Sequence, residues 1–151
     1  MSKSNTFETE ILSLFFLNTN IANIGDATGL RGSTTVGSVF ASLHTADPGE
    51  AGTAATNEIS YTGYARQAIP RNGTNFSVAN GVVTQLLNID FPEMTGGTGG
   101  TVTHFAYVKE VSGASVILYK GPYTPNQVIN TGVIPRLKGN ASGAPTTVTE
   151  D

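Results

Sequence analysis

The chain has 151 residues, about the length of one ordinary domain, and a chain of this size can bury a substantial core. Only 13% of its residues are charged and the formal net charge is -3, so its eight scattered Lys and Arg residues provide no basic surface for nucleic acid. The absence of cysteine excludes disulfides, cysteine-ligated zinc and a thiol nucleophile. No apolar run is long enough to span a membrane, and the first residues do not have the pattern of a signal peptide.

The first predicted element is a helix close to the N-terminus. Its apolar residues at helical spacing are Phe7, Ile11, Leu14 and Phe15. Asn5, with Glu8 three positions later, has the form of an N-terminal capping pair, and residues 18–20 (Asn-Thr-Asn) end the pattern. The apolar face of this helix either covers the core of a sheet or docks on a neighbouring subunit.

Beyond residue 32, short β-rich segments alternate with turn residues. Asn80-Gly81 is the strongest hairpin signal among them. The predicted strands are residues 36–44, 59–61 with 64–69, 76–78, 82–91, 101–111, 115–120, 128–129 with 133–134, and 146–149. About eight strands at regular spacing predict a mainly β fold, an antiparallel β-sandwich or jelly-roll-like barrel with one N-terminal α-helix. The spacing leaves the strand order open.

A single β-rich domain, residues 1–151, accounts for this pattern. We expect the helix and a connecting loop in residues 1–32, the β-sandwich in 33–138, and a C-terminal strand or arm in 139–151. Two longer connections, 45–58 and 92–100, consist of small, polar and glycine residues. The glycine-rich end of the second lacks the lysine of a phosphate-binding loop, so we expect a flexible loop before a strand.

Residue types that perform catalysis are present but form no recognisable motif. His44 and His104 are 60 positions apart without metal-ligand spacing, and each is expected to be a half-buried strand residue satisfied by a hydrogen bond. Asp47 and Glu50 lie in a proline-containing turn, where acidic residues serve turn geometry. No serine stands in a nucleophile motif. We therefore predict a protein that is not an enzyme, with no catalytic residue, metal site or cofactor.

Several side chains are candidates for contact with a partner protein. Tyr61 and Tyr64 flank a Thr-Gly pair close to Arg66, and tyrosine offers contact area with a polar tip. These tyrosines either cover the sheet core or contact a partner, with Arg66 as the polar anchor. The candidate interface residues are Phe7, Ile11, Phe15, Asp47, Glu50, Tyr61, Tyr64 and Arg66.

Three stretches together carry a family resemblance. Residues 41–52 read ASLHTADPGEAG, residues 61–68 read YTGYARQA, and IDFP at 89–92 leads into GTVTHF at 100–105. Together with the N-terminal helix, these stretches resemble a family of small virion structural proteins of tailed bacteriophages and prophages, often labelled tail-fibre-like or simply structural. The resemblance extends from about Phe7 to Leu137. It implies a β-rich accessory protein of a phage particle that carries no catalytic residues.

The resemblance does not place the protein on the particle. We expect a capsid decoration or cement protein that clamps neighbouring major capsid subunits, because no repeat, coiled coil or long shaft indicates a fibre. Its partners are then the major capsid protein and copies of itself, with no nucleic acid and no membrane, on a virion made in the host cytoplasm. The alternatives are a tail, tail-fibre or baseplate component and a glycan-binding module, the last with an exposed aromatic cleft and calcium near Asp47 and Glu50.

Overall fold

A computed structural model describes residues 3–24, 29, 31–140 and 147–149, the last three as backbone only. These residues form one α-helix and nine β-strands, and every strand pairing with a recorded register is antiparallel. The elements are α1 (Asn5–Leu17), β1 (Ser38–His44), β2 (Gln67–Pro70), β3 (Phe76–Ala79), β4 (Val82–Gln85), β5 (Ile89–Asp90), β6 (Gly100–Val108), β7 (Ile117–Ile129), β8 (Arg136–Leu137) and β9 (Thr147–Thr149). The predicted mainly β class with one helix and antiparallel sheets is confirmed.

Two compact units make up the described chain, and each is assembled from separate segments. The first draws on residues 1–38, 70–88 and 138–151, and it contains α1 and the sheet β3-β4-β9. The second draws on residues 39–69 and 89–137, and it contains the sheets β2-β1-β6-β7 and β5-β8. The expected single domain, with its divisions at residues 32 and 138, stays a prediction.

Helix α1 begins and ends with polar caps. The N-cap is Ser4 rather than the predicted Asn5, because the Ser4 hydroxyl accepts the Phe7 amide at 3.3 Å. The predicted end is confirmed at Asn18, which takes up the left-handed conformation with φ 57°. The Asn18 side chain also exchanges hydrogen bonds of 2.7 and 2.8 Å with the backbone of Ser33, which fixes the chain that follows.

The buried side of α1 differs from the predicted one. Leu12 and Phe16 are fully buried, and the Phe16 ring meets the Phe76 ring edge to face at 4.9 Å, where α1 packs on β3 and β4. The predicted face of Phe7, Ile11, Leu14 and Phe15 is only half-buried. Since the helix carries apolar residues on both sides, periodicity alone selected the wrong side as the core.

Arg71 stabilises the C-terminal end of α1. Its guanidinium donates to the carbonyl oxygens of Leu14, at 2.9 Å, and Phe15, and it lies 5.5 Å from the centre of the Phe15 ring. Carbonyl groups in the last helical turn have no partner within the helix and carry the negative end of its dipole. The Arg71 cation therefore stabilises the end of the helix and also attaches the helix to the chain segment before β3.

The β3–β4 hairpin confirms the turn predicted at Asn80-Gly81. Both residues have positive φ, 51° and 72°, as the tight two-residue hairpin turn requires. The Gly81 amide donates to the Thr9 hydroxyl at 2.9 Å, which joins the turn to α1. Strand β9 pairs with β4, so the C-terminal strand predicted over 146–149 pairs within the chain, while residue 146 itself lies outside the described residues.

In the second unit, β1 is a central strand between β2 and β6. Its last four residues, 41–44, are all buried, so both faces of this strand are covered. The strand predicted around 59–69 is reduced to β2 at residues 67–70, because Tyr61 to Tyr64 form a turn closed by a 3.1 Å backbone hydrogen bond. Gly63 holds φ 100° in this turn.

Strands β6 and β7 form the predicted hairpin around residues 112–114, and β7 is the last strand of its sheet. The pairing shifts between Val102 and His104, where β6 faces the β7 segment 123–126. The second half of the region predicted as strand 82–91 is β5, and it pairs with β8. The predicted strand at 128–129 is confirmed as the end of β7, which pairs there with β6, but the predicted strand at 133–134 does not form, because residues 131–132 make a turn and the next strand, β8, begins at Arg136.

Candidate interaction surfaces

Two of the predicted interface residues, Arg66 and Tyr64, bind Glu58, which sequence reasoning did not identify. Arg66 donates to both carboxylate oxygens of Glu58 at 2.7 Å, and the Tyr64 hydroxyl donates to the same carboxylate at 2.9 Å. Tyr61 meets the Tyr64 ring edge to face at 5.3 Å. We call these four residues the Glu58 cluster. A signal for it existed, since Glu58 lies three positions before Tyr61, the first residue of the YTGYAR segment.

Arg66 is the polar centre of this cluster. The residue is 6% exposed, and beyond Glu58 it donates to the carbonyl oxygens of Glu110 at 3.1 Å and Gly113 at 2.7 Å. The hydrogen bonds to Glu58 raise the pKa of the Arg66 guanidinium above its usual range. Because Glu110 and Gly113 belong to the β6–β7 connection, one buried arginine holds that loop to the segment before β2.

The two tyrosines use their hydroxyl groups inside the protein. The Tyr64 hydroxyl accepts the Leu43 amide at 3.1 Å, and the Tyr61 hydroxyl donates to the Pro92 carbonyl at 2.8 Å. Burial raises the pKa of Tyr61 to about 12 and, with the nearby Glu58 carboxylate, raises the pKa of Tyr64 further. The arrangement covers the core of the sheet, and partner contact by Tyr61, Tyr64 and Arg66 stays a prediction.

The predicted acidic candidates lie at the surface around one lysine. The Lys120 ammonium is 3.1 Å from an Asp47 carboxylate oxygen and 3.2 Å from a Glu50 oxygen, although the Glu50 side chain is 94% exposed. The Gly49 amide donates to Asp47 at 2.8 Å, and this bond, followed by the one from Lys120, lowers the pKa of Asp47. The lysine stands where a cation would bind, and no group of three or more metal-binding side chains occurs among the described residues.

The connection between β6 and β7, residues 109–116, presents two exposed apolar side chains. Val111 is 58% exposed and Val116 is 60% exposed. Arg66 donates hydrogen bonds to two carbonyl groups of this loop, and the Ser115 hydroxyl accepts the Glu110 amide at 2.9 Å. We call residues 109–116 the β6–β7 tip. Hydrogen bonds fix this loop, and its two valines are exposed to solvent. An exposed apolar surface on a fixed loop is suited to contact with another protein.

The helix candidates have intermediate exposure. Phe7 and Ile11 are half-buried on α1, and so is Phe15, whose ring lies against both Arg71 and Phe16. The alternative that this face docks on a neighbouring subunit stays a prediction. Phe15 already makes ring contacts within the chain. Phe7 and Ile11 are therefore the better candidates on this face for contact with a partner protein.

An open groove of about 560 Å³ lies between residues 58–62 and 97–99. Thr45, Ser60, Thr62 and Thr98 contribute hydroxyl groups to its lining. Tyr61, the aromatic residue in this lining, is 7% exposed, so it presents no open ring face on which a sugar could stack. The groove therefore does not match the aromatic cleft expected of a glycan-binding module.

The glycine-rich side of this groove is held in place, contrary to the flexible loop we expected. The Thr62 amide donates to the Gly96 carbonyl at 2.8 Å, and the Thr95 amide returns a bond of 3.1 Å to the Thr62 carbonyl. Gly99 has φ 66° and passes so close to the Ile129 carbonyl that a side chain there would collide with it. The glycines serve close backbone packing.

Neither histidine stands in a catalytic arrangement. His44 and Ser42 are 2.9 Å apart, but both are fully buried, so no substrate can reach the serine hydroxyl. Burial lowers the pKa of His44 below its usual value. His104 is half-buried and lies 2.9 Å from the Thr103 hydroxyl, as expected for a satisfied strand residue. Ser42 and His44 are therefore out of reach of a substrate in this structure.

Comparison with known families identifies the family to which this sequence belongs. The sequence profile of the family described as Podophage GP4 fiber I protein gp80 matches residues 2–143. The chain belongs to this family. The match confirms the resemblance to phage virion structural proteins that the sequence indicated. No curated protein matches the chain.

Membership of the gp80 family gives a coarse function and location. The protein is a phage structural protein, and its location is the virion. Among the helices that the structure describes, none is long and apolar enough to cross a membrane.

Proposed function

We propose that the protein is a non-enzymatic component of a podophage tail fibre that assembles through contacts with copies of itself and with neighbouring tail proteins. The family match over residues 2–143 carries this proposal, because the matching family is described as a fiber protein. The capsid cement role expected from the sequence has no comparable support. The cement role was expected mainly because the sequence shows no repeats and no shaft. That reason does not exclude a fibre, because a small β-rich protein can be one part of a fibre made of several proteins.

The site geometry supports a binding role over a catalytic one. The buried charged pair Arg66–Glu58 is joined by two hydrogen bonds, and Asp47 and Glu50 are neutralised in part by Lys120. Among the described residues, surfaces suited to contact include the β6–β7 tip with its exposed valines and the exposed acidic turn. A single contact through a surface this small binds weakly. In a fibre, the same contact is repeated between symmetry-related copies, and the repeated contacts together bind strongly.

Copy number and position in purified particles test the placement. We expect quantitative mass spectrometry to find tens of copies or fewer per particle, in a fixed ratio to other tail proteins, and antibody-labelled electron microscopy to place the protein on the tail. A ratio near one copy per major capsid subunit, with label over the shell, would overturn the fibre proposal in favour of cement.

Matched surface variants test the use of the β6–β7 tip in assembly. Val116→Asp changes a valine that is 60% exposed in the tip, and Val128→Asp changes one that is 57% exposed on β7. We expect both variants to fold, and Val116→Asp alone to lower incorporation into particles. Equal incorporation of the two variants would remove the tip from the proposal without affecting the placement on the tail.

A further inference from the structure

The chain contains two Asn-Gly pairs, Asn72-Gly73 and Asn80-Gly81, and both lie in the unit that contains α1. An asparagine followed by glycine can lose its side-chain amide without an enzyme, because glycine has no side chain to hinder attack by its backbone nitrogen on the asparagine side-chain carbon. From the sequence alone, the two pairs are equal candidates for this reaction. The structure places them in opposite surroundings, so their reactivity should differ.

The Asn72 side chain lies against the backbone that follows it. Its Oδ1 accepts the Thr74 amide at 3.0 Å, the Asn75 amide at 3.2 Å and the Asn75 Nδ2 at 3.0 Å. The ring that the Thr74 bond closes includes the Gly73 nitrogen, so the side-chain carbon of Asn72 stays close to the atom that would attack it. The pair is thereby held near the geometry that the reaction needs.

The three donors to Oδ1 also favour the transition state of amide loss. As the Gly73 nitrogen attacks, the side-chain carbonyl double bond opens and Oδ1 gains negative charge. Hydrogen bonds to this oxygen become stronger as the charge develops, so they stabilise the transition state more than the resting asparagine. The hydrogen bonds therefore assist the reaction.

The backbone at Gly73 is open to the reaction. Gly73 is exposed, and its amide has no hydrogen-bond partner among the residues that the structure describes. A Cβ atom added to Gly73 would meet no atom within 4 Å, so the backbone has room to move toward the side chain. Water, which the last step of the reaction consumes, has direct access to this position.

Asn80-Gly81 is protected by the same criteria. Gly81 is buried, and its amide donates to the Thr9 hydroxyl at 2.9 Å, so its nitrogen can attack only after this bond breaks. The two residues also form the tight turn between β3 and β4, whose strands pair as far as Ala79 and Val82. Within the described part of the chain, the Asn80 side chain accepts no hydrogen bond that could stabilise a developing charge.

We propose that Asn72 is a site of spontaneous deamidation in the folded protein, while Asn80 is protected from it. The Gly73 nitrogen gives its proton to water or hydroxide and bonds to the Asn72 side-chain carbon, and the side-chain nitrogen leaves as ammonia with a proton from water. Water then opens the cyclic imide at either carbonyl, which gives aspartate or isoaspartate at position 72. The product adds a negative charge beside Arg71, which holds the end of α1. The proposal does not depend on the fibre proposal, since it concerns the isolated chain.

Peptide mapping by mass spectrometry tests the proposal on the full chain, incubated in neutral buffer either folded or unfolded in urea. In the unfolded chain, both pairs should convert at similar rates. Folding should leave the rate at Asn72 unchanged or faster, and it should slow Asn80 about tenfold or more, because the Gly81 hydrogen bond has to break first. Slowing of both pairs to the same extent, or faster conversion of Asn80 than of Asn72 in the folded chain, would overturn the proposal.

Two variants test the physical reasons for the difference. Gly73→Ala adds a methyl group in open space at a backbone conformation that alanine accepts, so the fold should be unchanged. Steric hindrance at the attacking nitrogen should then leave Asn72 largely unmodified, and conversion at the wild-type rate would contradict attack by this nitrogen. Thr9→Val removes the acceptor of the Gly81 amide and should speed conversion at Asn80 alone.

Discussion

Arg66 and Glu58 are joined by two parallel hydrogen bonds of 2.7 Å, with their side chains 3% and 16% exposed. The two-pronged geometry matches a guanidinium to a carboxylate, and it is stronger than a contact between single atoms. The same arginine binds two carbonyl groups of the β6–β7 tip. One side chain therefore organises the loop that carries the exposed valines.

Replacement of Arg66 should cost more stability than loss of any surface ion pair. Arg66→Ala removes the donor from two carbonyls and leaves the buried Glu58 carboxylate with the Tyr64 hydroxyl but without its cation, and we expect a loss of about 3 kcal/mol in the free energy of unfolding. Arg66→Lys should lose somewhat less, because lysine keeps a positive charge near Glu58, but it should still lose stability because it cannot make the two-pronged contact. Urea denaturation followed by circular dichroism measures both.

The matched control for Arg66 is the exposed pair Arg136–Asp90, whose side chains are 53% and 47% exposed. Solvent screens this pair, so Arg136→Ala should change the free energy of unfolding far less than Arg66→Ala does. Similar losses of stability for Arg66→Ala and Arg136→Ala would show that burial does not make the Arg66–Glu58 pair more important for stability than an exposed pair.

The two sides of α1 should respond differently to truncation. Phe16→Ala removes a fully buried ring against Phe76 and should lower the free energy of unfolding by about 3–5 kcal/mol. Ile11→Ala, on the half-buried side, should lose about 1 kcal/mol, because the site is already open to water. Thermal unfolding of both variants checks this order, and the reverse order would mean that the core-facing side is wrongly assigned.

Asn18 combines a backbone and a side-chain contribution that two variants can separate. Asn18→Gly keeps the left-handed conformation available but loses the bonds to Ser33, so its loss of about 1 kcal/mol measures those bonds. Asn18→Ala should lose about 1 kcal/mol more, because alanine is strained at φ 57°. Equal stabilities of the two variants would contradict a strained C-cap.

High pH should unfold the protein through its buried tyrosines. Burial raises the pKa of Tyr61 to about 12 from 10.0, and it also raises the pKa of Tyr64 and Tyr107. A raised pKa means that the folded state holds its protons longer, so this stability is fully present below pH 10 and is lost as pH rises through the folded values. Tyrosinate absorbance and circular dichroism should change together above pH 10. Ionisation of all five tyrosines near pH 10 without loss of structure would refute this assignment.

Features set by neighbouring residues could be predicted from the sequence. Helix α1 follows from apolar spacing over a few turns, and the β3–β4 turn follows from Asn80-Gly81, because positive φ at both positions is a local steric property. The mainly β class and the phage family follow from patterns that extend over most of the chain. The sequence also indicated correctly that the two histidines are strand residues satisfied by hydrogen bonds, although His44 is fully buried rather than half-buried as expected.

Only the tertiary structure decided which distant residues meet. Lys120 reaches Asp47 across 73 positions, Arg66 reaches Gly113 across 47, and β5 pairs with β8, and none of these contacts has a local cause. The side of α1 that becomes core was likewise decided by β3 and β4, since both of its sides carry apolar residues. Local sterics limit each segment to a few conformations, and long-range packing then selects which side chains are buried and which remain for partners.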